Sequence, residues 1–189
     1  VFTQSCELWI DVRSFGQVMT FQNRSLGIRG PVSISLAKSL SPVDLVTLQI
    51  TRSTDGMEAK GGKRSSDTMG TKHFVDYGVY KFAGSINCYF ASKTQFSEED
   101  AQIIKESLRT LFVNDMSSAR PEGSMEIKKI YWFTHPNKLG VASSAKIHNL
   151  VRTDVKPEFQ KATSYEDYII DIDTDRLEEY QASGLVLEI

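Results

Sequence analysis

The chain has 189 residues, 40% hydrophobic and 24% charged, with 22 Lys and Arg set against 24 Asp and Glu. That length suits a single domain (1–189) with a sizeable core, and no apolar run approaches the ~20 residues that cross a bilayer. Two cysteines, Cys6 and Cys88, are too few for a disulfide framework or a four-ligand zinc site, so the expectation is a reducing, cytoplasmic setting with no membrane partner.

Asp11–Phe21 reads as a first strand, because Phe15, Gln17, Met19 and Phe21 alternate with Gly16, Val18 and Thr20. Gly27–Leu36 alternates more cleanly, with Ile28, Val32, Ile34 and Leu36 on one face and Arg29, Ser33 and Ser35 on the other. Pro31 inside it indicates an edge or a bulge. Val43–Arg52 is a third strand, with Val46, Leu48 and Ile50 expected to face inward.

Residues 53–76 carry no sustained periodicity and read as a projecting hairpin or loop. Lys60, Lys63, Arg64, Lys72 and His73 crowd into this stretch, spaced by Gly61, Gly62 and Gly70. A basic tongue of that kind buries little and suits a polyanion. Tyr77–Phe90 returns to strand chemistry, rich in Tyr, Phe and Val.

A helix follows. Ser97 caps it, Glu98, Glu99 and Asp100 fill a first turn where the helix dipole favours negative charge, and Ala101, Ile104, Leu108, Leu111 and Phe112 form one apolar stripe facing the core. Asn114–Ser124 is a polar loop, Met125–Phe133 a strand and His135–Gly140 a turn. Val141–Val151 is compatible with strand or short helix, and strand is the preferred reading. Residues 163–189 hold eight acids against Arg176 alone, leaving the first 162 residues with 21 basic and 16 acidic side chains, before a short final strand at Leu185–Ile189. A mildly basic body with an acidic C-terminal segment fits nucleic-acid binding or packing between copies, and a solvated acidic face fits equally well. Strands before and after one central helix make an α+β sheet with a helix on one face.

Residue types suited to catalysis are scattered. His73, His135 and His148 have no partner at metal-ligand spacing, Ser65 and Ser66 lack the G-x-S-x-G frame, and Lys63 is followed by Arg64 where a phosphate loop needs Ser or Thr. Asp171, Asp173 and Asp175 alternate without the glycine and final glutamate of a calcium loop. No catalytic residue, metal or cofactor is assigned.

Binding features recur instead. Arg13, Ser14, Phe15, Gly16 and Gln17 place an arginine, a ring and a permissive backbone side by side, a combination that holds a phosphate and stacks a base, although a plain strand start with Phe15 in the core explains it too. Arg29 lies on a polar strand face. Ser117, Ser118 and Arg120 beside Gly123 suit phosphate oxygens, and Ser143, Ser144 and Lys146 resemble them. Recurrence at strand ends and loops, together with the basic tongue, favours single-stranded RNA binding over an enzyme.

The strings DVRSFGQV (11–18), GIRGPVSIS (27–35), ITRS (50–53), KRSSDTMGTKHFVDYGVYKFAGSIN (63–87) and NDMSSARPEGSM (114–125) lie collinear with YWF (131–133) and LGVASSAKIH (139–148). Together they resemble the RNA-binding backbone subunit of type I-C CRISPR surveillance (Cascade) complexes, of the RAMP superfamily. That resemblance implies a modified RRM-like, ferredoxin-like palm with an inserted β-hairpin thumb, here within residues 53–76. It also implies a non-catalytic antiviral subunit that polymerises as a helical filament along one CRISPR RNA beside other Cascade subunits. The guide bases are then left to pair with target DNA, while protein reads backbone and shape. Met57 and Met69 are the implied thumb wedge, with packing against a neighbouring subunit as the alternative for each. Arg13, Phe15, Gly16 and Gln17 would face the RNA, and Ser118 and Arg120 would grip its backbone.

Such subunits begin with a strand and helix that have no evident counterpart before Asp11, so the first palm strand is expected to be absent from this chain, which would leave an exposed strand edge beside Asp11–Phe21. The alternative function is a RAMP-superfamily endoribonuclease using Asp67 and His73 as acid and base. A third is a protein-interaction module acting through the acidic segment.

Overall fold

The computed structural model describes residues 1–21, 24–52 and 68–189, so Met57, Lys60, Lys63, Arg64 and Asp67 lie outside the described residues. It divides into two compact units, one formed by Val1–Leu36, Phe82–Arg152 and Asp171–Ile189, the other by Ala37–Lys81 and Thr153–Ile170. The class is the expected α+β, built among the described residues from six α-helices and short strands paired two by two.

The first unit opens with α1 (Phe2–Leu8) and α2 (Ile10–Phe15), followed by β1 (Gly16–Phe21) antiparallel to β2 (Arg24–Arg29), with Gly16 opposite Arg29. The expected strand from Asp11 is therefore corrected: its first five residues are helical. Val12 and Ser14 are buried from that helix, and Gly16, at φ +84° and ψ 173°, occupies a region open essentially to glycine and stops it. The alternation that suggested a strand is real only from Gly16 onward.

β3 (Val32–Ile34) pairs with β8 (Gly84–Ile86) within the same unit. The expected strand over Tyr77–Phe90 is also corrected, because Cys88–Thr94 forms helix α3. Asn87 starts it by accepting the N–H groups of Tyr89 and Phe90 at 2.9 and 3.3 Å, satisfying donors that the first turn leaves orphaned.

Helix α4 (Glu98–Arg109) matches its expectation closely. Ser97 and Asp100 form a reciprocal capping box, and Ala101 is buried on the apolar stripe, although Leu111 at its far end is exposed.

The expected strand over Met125–Phe133 contracts to β9 (Trp132–Thr134), which pairs antiparallel with β12 (Val186–Glu188), the foreseen final strand. The preferred strand reading of Val141–Val151 is overturned by α5 (Ser144–His148). β10 (Val151–Val155) follows and pairs with β11 (Tyr168–Ile172). Helix α6 (Thr174–Ala182), capped by Asp173, was not anticipated in the acidic segment. Asp173 accepts from the Arg176 N–H at 3.2 Å and is also held by the Arg152 guanidinium. These contacts hold its carboxyl below the usual carboxylate range, with the backbone hydrogen bond the largest cause.

Two apolar clusters form the core of this unit. Ile147, Leu150, Leu177 and Leu185 pack together with Phe133, Ile172 and Tyr180 around them; Cys6, Val12 and Ile28 pack with Phe2 and Met19. Burying Leu150 completely contributes about 1.5–3 kcal/mol. Burial also pushes the Cys6 thiol up, which leaves it inert.

In the second unit β4 (Lys38–Ser39) pairs with β7 (Tyr80–Lys81), and β5 (Leu45–Arg52) pairs antiparallel with β6 (Thr68–Val75) over eight residues each. The ladder thus begins upstream of the segment expected to form the hairpin. Tyr168 and Ser41 share a 2.7 Å hydroxyl hydrogen bond in this unit. Asp167 accepts from the Thr163 and Ser164 N–H groups at 2.7 and 2.9 Å, which keeps it ionised to low pH.

Among the described residues no helix is long and apolar enough to cross a membrane.

Candidate nucleic-acid interface

The Arg13–Gln17 stretch does not act as a unit. Arg13 turns into the fold, where Nε and Nη2 donate to Asp100 Oδ2 and Oδ1 at 2.9 and 2.6 Å, and Nη1 donates to the Cys6 carbonyl at 3.3 Å. This fork clamps α2 to α4. The hydrogen bond from Arg13 is the main reason the Asp100 carboxyl sits below its ordinary range, and the same bond raises Arg13. Ser14 is completely buried, and its Oγ has no hydrogen-bond partner among the described residues.

Phe15 faces the other way and is 50% exposed, so it is not a core residue. Gly16 and Gly30 let two backbones meet beside it: a Cβ on Gly16 would lie 2.2 Å from the Ile28 carbonyl oxygen, and one on Gly30 equally close to that of Ser14. Gln17 is exposed on β1.

Arg29 ends β2 opposite Gly16, and its guanidinium lies 4.3 Å from the centroid of the Phe90 ring. Lys93, one turn along α3 from that ring, brings its ammonium to 5.4 Å. Each is within cation–π range. Among the described residues neither cation forms an ion pair. The Asn87 N–H donates to the Pro31 carbonyl at 3.0 Å, fixing the start of α3 to the chain just beyond β2.

Phe90 and Lys93 escaped the sequence reading because Tyr77–Phe90 looked like a strand. Asn87 followed by helix-compatible residues was the available cue. The stacking of Arg29 on a distant ring leaves no local trace in the sequence.

The remaining candidates fall elsewhere. Ser117 and Arg120 close a tight turn through reciprocal backbone hydrogen bonds of 2.8 and 3.1 Å, and the Arg120 guanidinium pairs with Asp115 at 3.1 Å. Ser118 is exposed in the same loop. Lys146 is exposed on α5, with Ser143 at its N-cap and Ser144 in its first turn. His148 and His135 serve the fold, through a 3.1 Å contact to the Gly84 carbonyl and a 3.2 Å hydrogen bond from the Val141 N–H.

In the second unit, β5 and β6 present two unlike faces. Thr47, Gln49, Met69, Thr71 and His73 share one of them, with His73 Nδ1 3.0 Å from the Thr47 hydroxyl and Met69 exposed. Val46, Leu48 and Ile50 share the other with Phe74 and Lys72, whose ammonium lies 4.8 Å from the Phe74 ring. The expectation that Val46, Leu48 and Ile50 face inward is corrected: each is at least 40% exposed. Their alternation is that of a one-sided strand, but no second layer covers the apolar side among the described residues.

No cluster of three or more His, Cys, Asp or Glu suited to a metal occurs among the described residues. The arrangement offers cations, rings and a permissive backbone at strand and helix ends, which is chemistry for holding a phosphate chain. The model of the family described as CRISPR-associated protein Cas7 matches residues 2–173. No curated protein matches the chain.

Proposed function

Since this chain belongs to the CRISPR-associated Cas7 family, and so to the backbone subunits of CRISPR effectors that bind CRISPR RNA, we propose that it is the type I-C member, a non-catalytic subunit that polymerises along the guide and presents it for pairing with target DNA. The observation that carries this reading is the family match across residues 2–173. The type I-C assignment is supported by the collinear strings from DVRSFGQV to LGVASSAKIH.

In this reading the thumb is the hairpin of β5 and β6, with Met69 on its polar face and Met57 and the basic residues Lys60, Lys63 and Arg64 between the two strands in sequence. The apolar face bearing Val46, Leu48 and Ile50 suits contact with a neighbouring copy. Phosphates held at several points per copy, with bases facing away, would leave sequence recognition to the guide itself.

The test is co-expression with a CRISPR array, followed by native mass spectrometry and sizing of the bound RNA. The expected result is short RNA of uniform length, with copies per particle rising as the guide is lengthened. Labelled single-stranded RNA incubated with the purified chain should stay intact. Cleavage abolished by His73→Ala, or protein free of RNA, would overturn the proposal.

A further inference from the structure

We propose that Arg29, Phe90 and Lys93 form a phosphate clamp for single-stranded RNA, flanked by the exposed rings of Phe15 and Tyr89 as base-stacking platforms. This rests on the RNA-binding reading above and adds helix α3 to the interface.

Arg29 and Lys93 lie 4.3 and 5.4 Å from the centroid of one ring, so the two cations are at most about 10 Å apart, a separation at which salt screens their repulsion only in part. They repel. Each cation–π contact returns only about 0.5–1 kcal/mol at an exposed site, and among the described residues no carboxylate lies within ion-pair distance of either cation. An anion between them converts that repulsion into two charge-assisted hydrogen bonds.

Order comes next. Phe90 is half-buried, and Asn87 fixes its helix by accepting the N–H groups of Tyr89 and Phe90. Arg29 is registered by its ladder position opposite Gly16. The guanidinium carbon is held 4.3 Å from the ring centroid and no carboxylate pairs with it among the described residues, so its donors can fork onto phosphate oxygens at little entropic cost.

The flanks select a polynucleotide over a free anion. Tyr89, 61% exposed, directly precedes Phe90, while Phe15 directly precedes the glycine that faces Arg29. In the proposal these two exposed rings stack the bases that flank the held phosphodiester, a sequence-tolerant grip.

The experiment uses the full chain with fluorescein-labelled oligouridine and, in parallel, oligothymidine, titrated over a range of salt concentrations. The double variant Arg29→Gln/Lys93→Gln removes both charges while retaining the ring. It should lower the slope of log affinity against log salt by about 1.4, since each lost phosphate contact removes about 0.7. Tyr89→Leu should weaken oligouridine binding roughly 5- to 150-fold and leave the slope unchanged. If the double variant melts early, Lys93→Gln alone, on the exposed side of α3, is read instead, with an expected slope change of about 0.7.

Wild-type binding with slope and affinity unchanged in these variants overturns the clamp and leaves the RNA-binding reading standing. Loss confined to oligothymidine assigns the site to DNA and overturns it equally. Failure of the wild-type chain to bind oligouridine at low salt overturns the underlying reading, and the clamp with it.

Discussion

Replacing Asp100 with Ala tests the central strut of the first unit. Its carboxylate accepts a two-point fork from Arg13 at 2.9 and 2.6 Å and also the Ser97 N–H at 3.0 Å, so a single side chain both anchors α2 and caps α4. The Asp100 side chain is 6% exposed and that of Arg13 20%. Removing one member of a buried pair costs about 3–5 kcal/mol, because the other charge is left without compensation. Arg13 retains some access to water, so the lower end, about 3 kcal/mol, applies, and loss of the cap adds about 1 kcal/mol. The expected destabilisation of about 4 kcal/mol is a large part of the 5–15 kcal/mol that holds a typical domain folded. Urea denaturation followed by circular dichroism measures it. Arg13→Ala should cost a similar amount, about 3–5 kcal/mol, since it spares the capping box but strands the more buried carboxylate. The effect should also depend on pH. The folded-state pKa of Asp100 is depressed, so its stabilisation is complete above the unfolded value of about 3.9 and disappears as pH falls through the lower folded value. The gap between wild type and Asp100→Ala should therefore narrow below about pH 4. A cost under about 1 kcal/mol at neutral pH would refute the reasoning, because it would mean that the pair contributes no more than a surface bridge.

Gly16→Ala should cost at least about 1–3 kcal/mol, from backbone strain at positive φ and from a Cβ 2.2 Å from the Ile28 carbonyl oxygen, and a thermal melt reads the loss. Asp167→Ala strips hydrogen bonds from Thr163 and Ser164 and should destabilise the second unit, with a loss that fades below about pH 4 because this carboxyl is also depressed. Unchanged protection of nearby amides against hydrogen exchange would contradict that. Leu48→Ser with Ile50→Ser, at exposed positions, should move stability by no more than about 0.5 kcal/mol per site yet reduce the number of copies assembled per guide, as measured by native mass spectrometry. Full assembly by that variant would remove this face from the contact between copies.

Signals within one turn or one ladder step were legible in the sequence. Ser97 followed three residues later by Asp100 announced α4, with Ala101 on its inner stripe, and the alternation along Leu45–Arg52 announced β5. Failures came where a local pattern had two solutions. Phe15 could extend the alternation of β1 or end a helix, and Gly16 decided for the helix through a backbone conformation that alternation does not encode. Tyr89 and Phe90 have strand-like chemistry, yet Asn87 supplied the cap that turned them into α3. The candidate site was legible only in part: Arg29 stood out, Phe90 and Lys93 did not, and no pairing was visible. Arg13 and Arg29 look alike in sequence, and only packing sends one to Asp100 and the other onto Phe90.

An isolated ribbon of two strands is barely stable in water, since half of its side chains gain nothing from the pairing. For β5 and β6 the lipophilic half is the wet one, with Val46, Leu48 and Ile50 each at least 40% exposed. Cross-strand hydrogen bonds alone would then hold register in the solitary chain, so deuterium should enter the amides of this ladder well ahead of those around Leu150. Once a companion surface dries that side, the same amides should become slow. Exchange at the ribbon would then serve as a gauge of assembly, legible without any label on the nucleic acid.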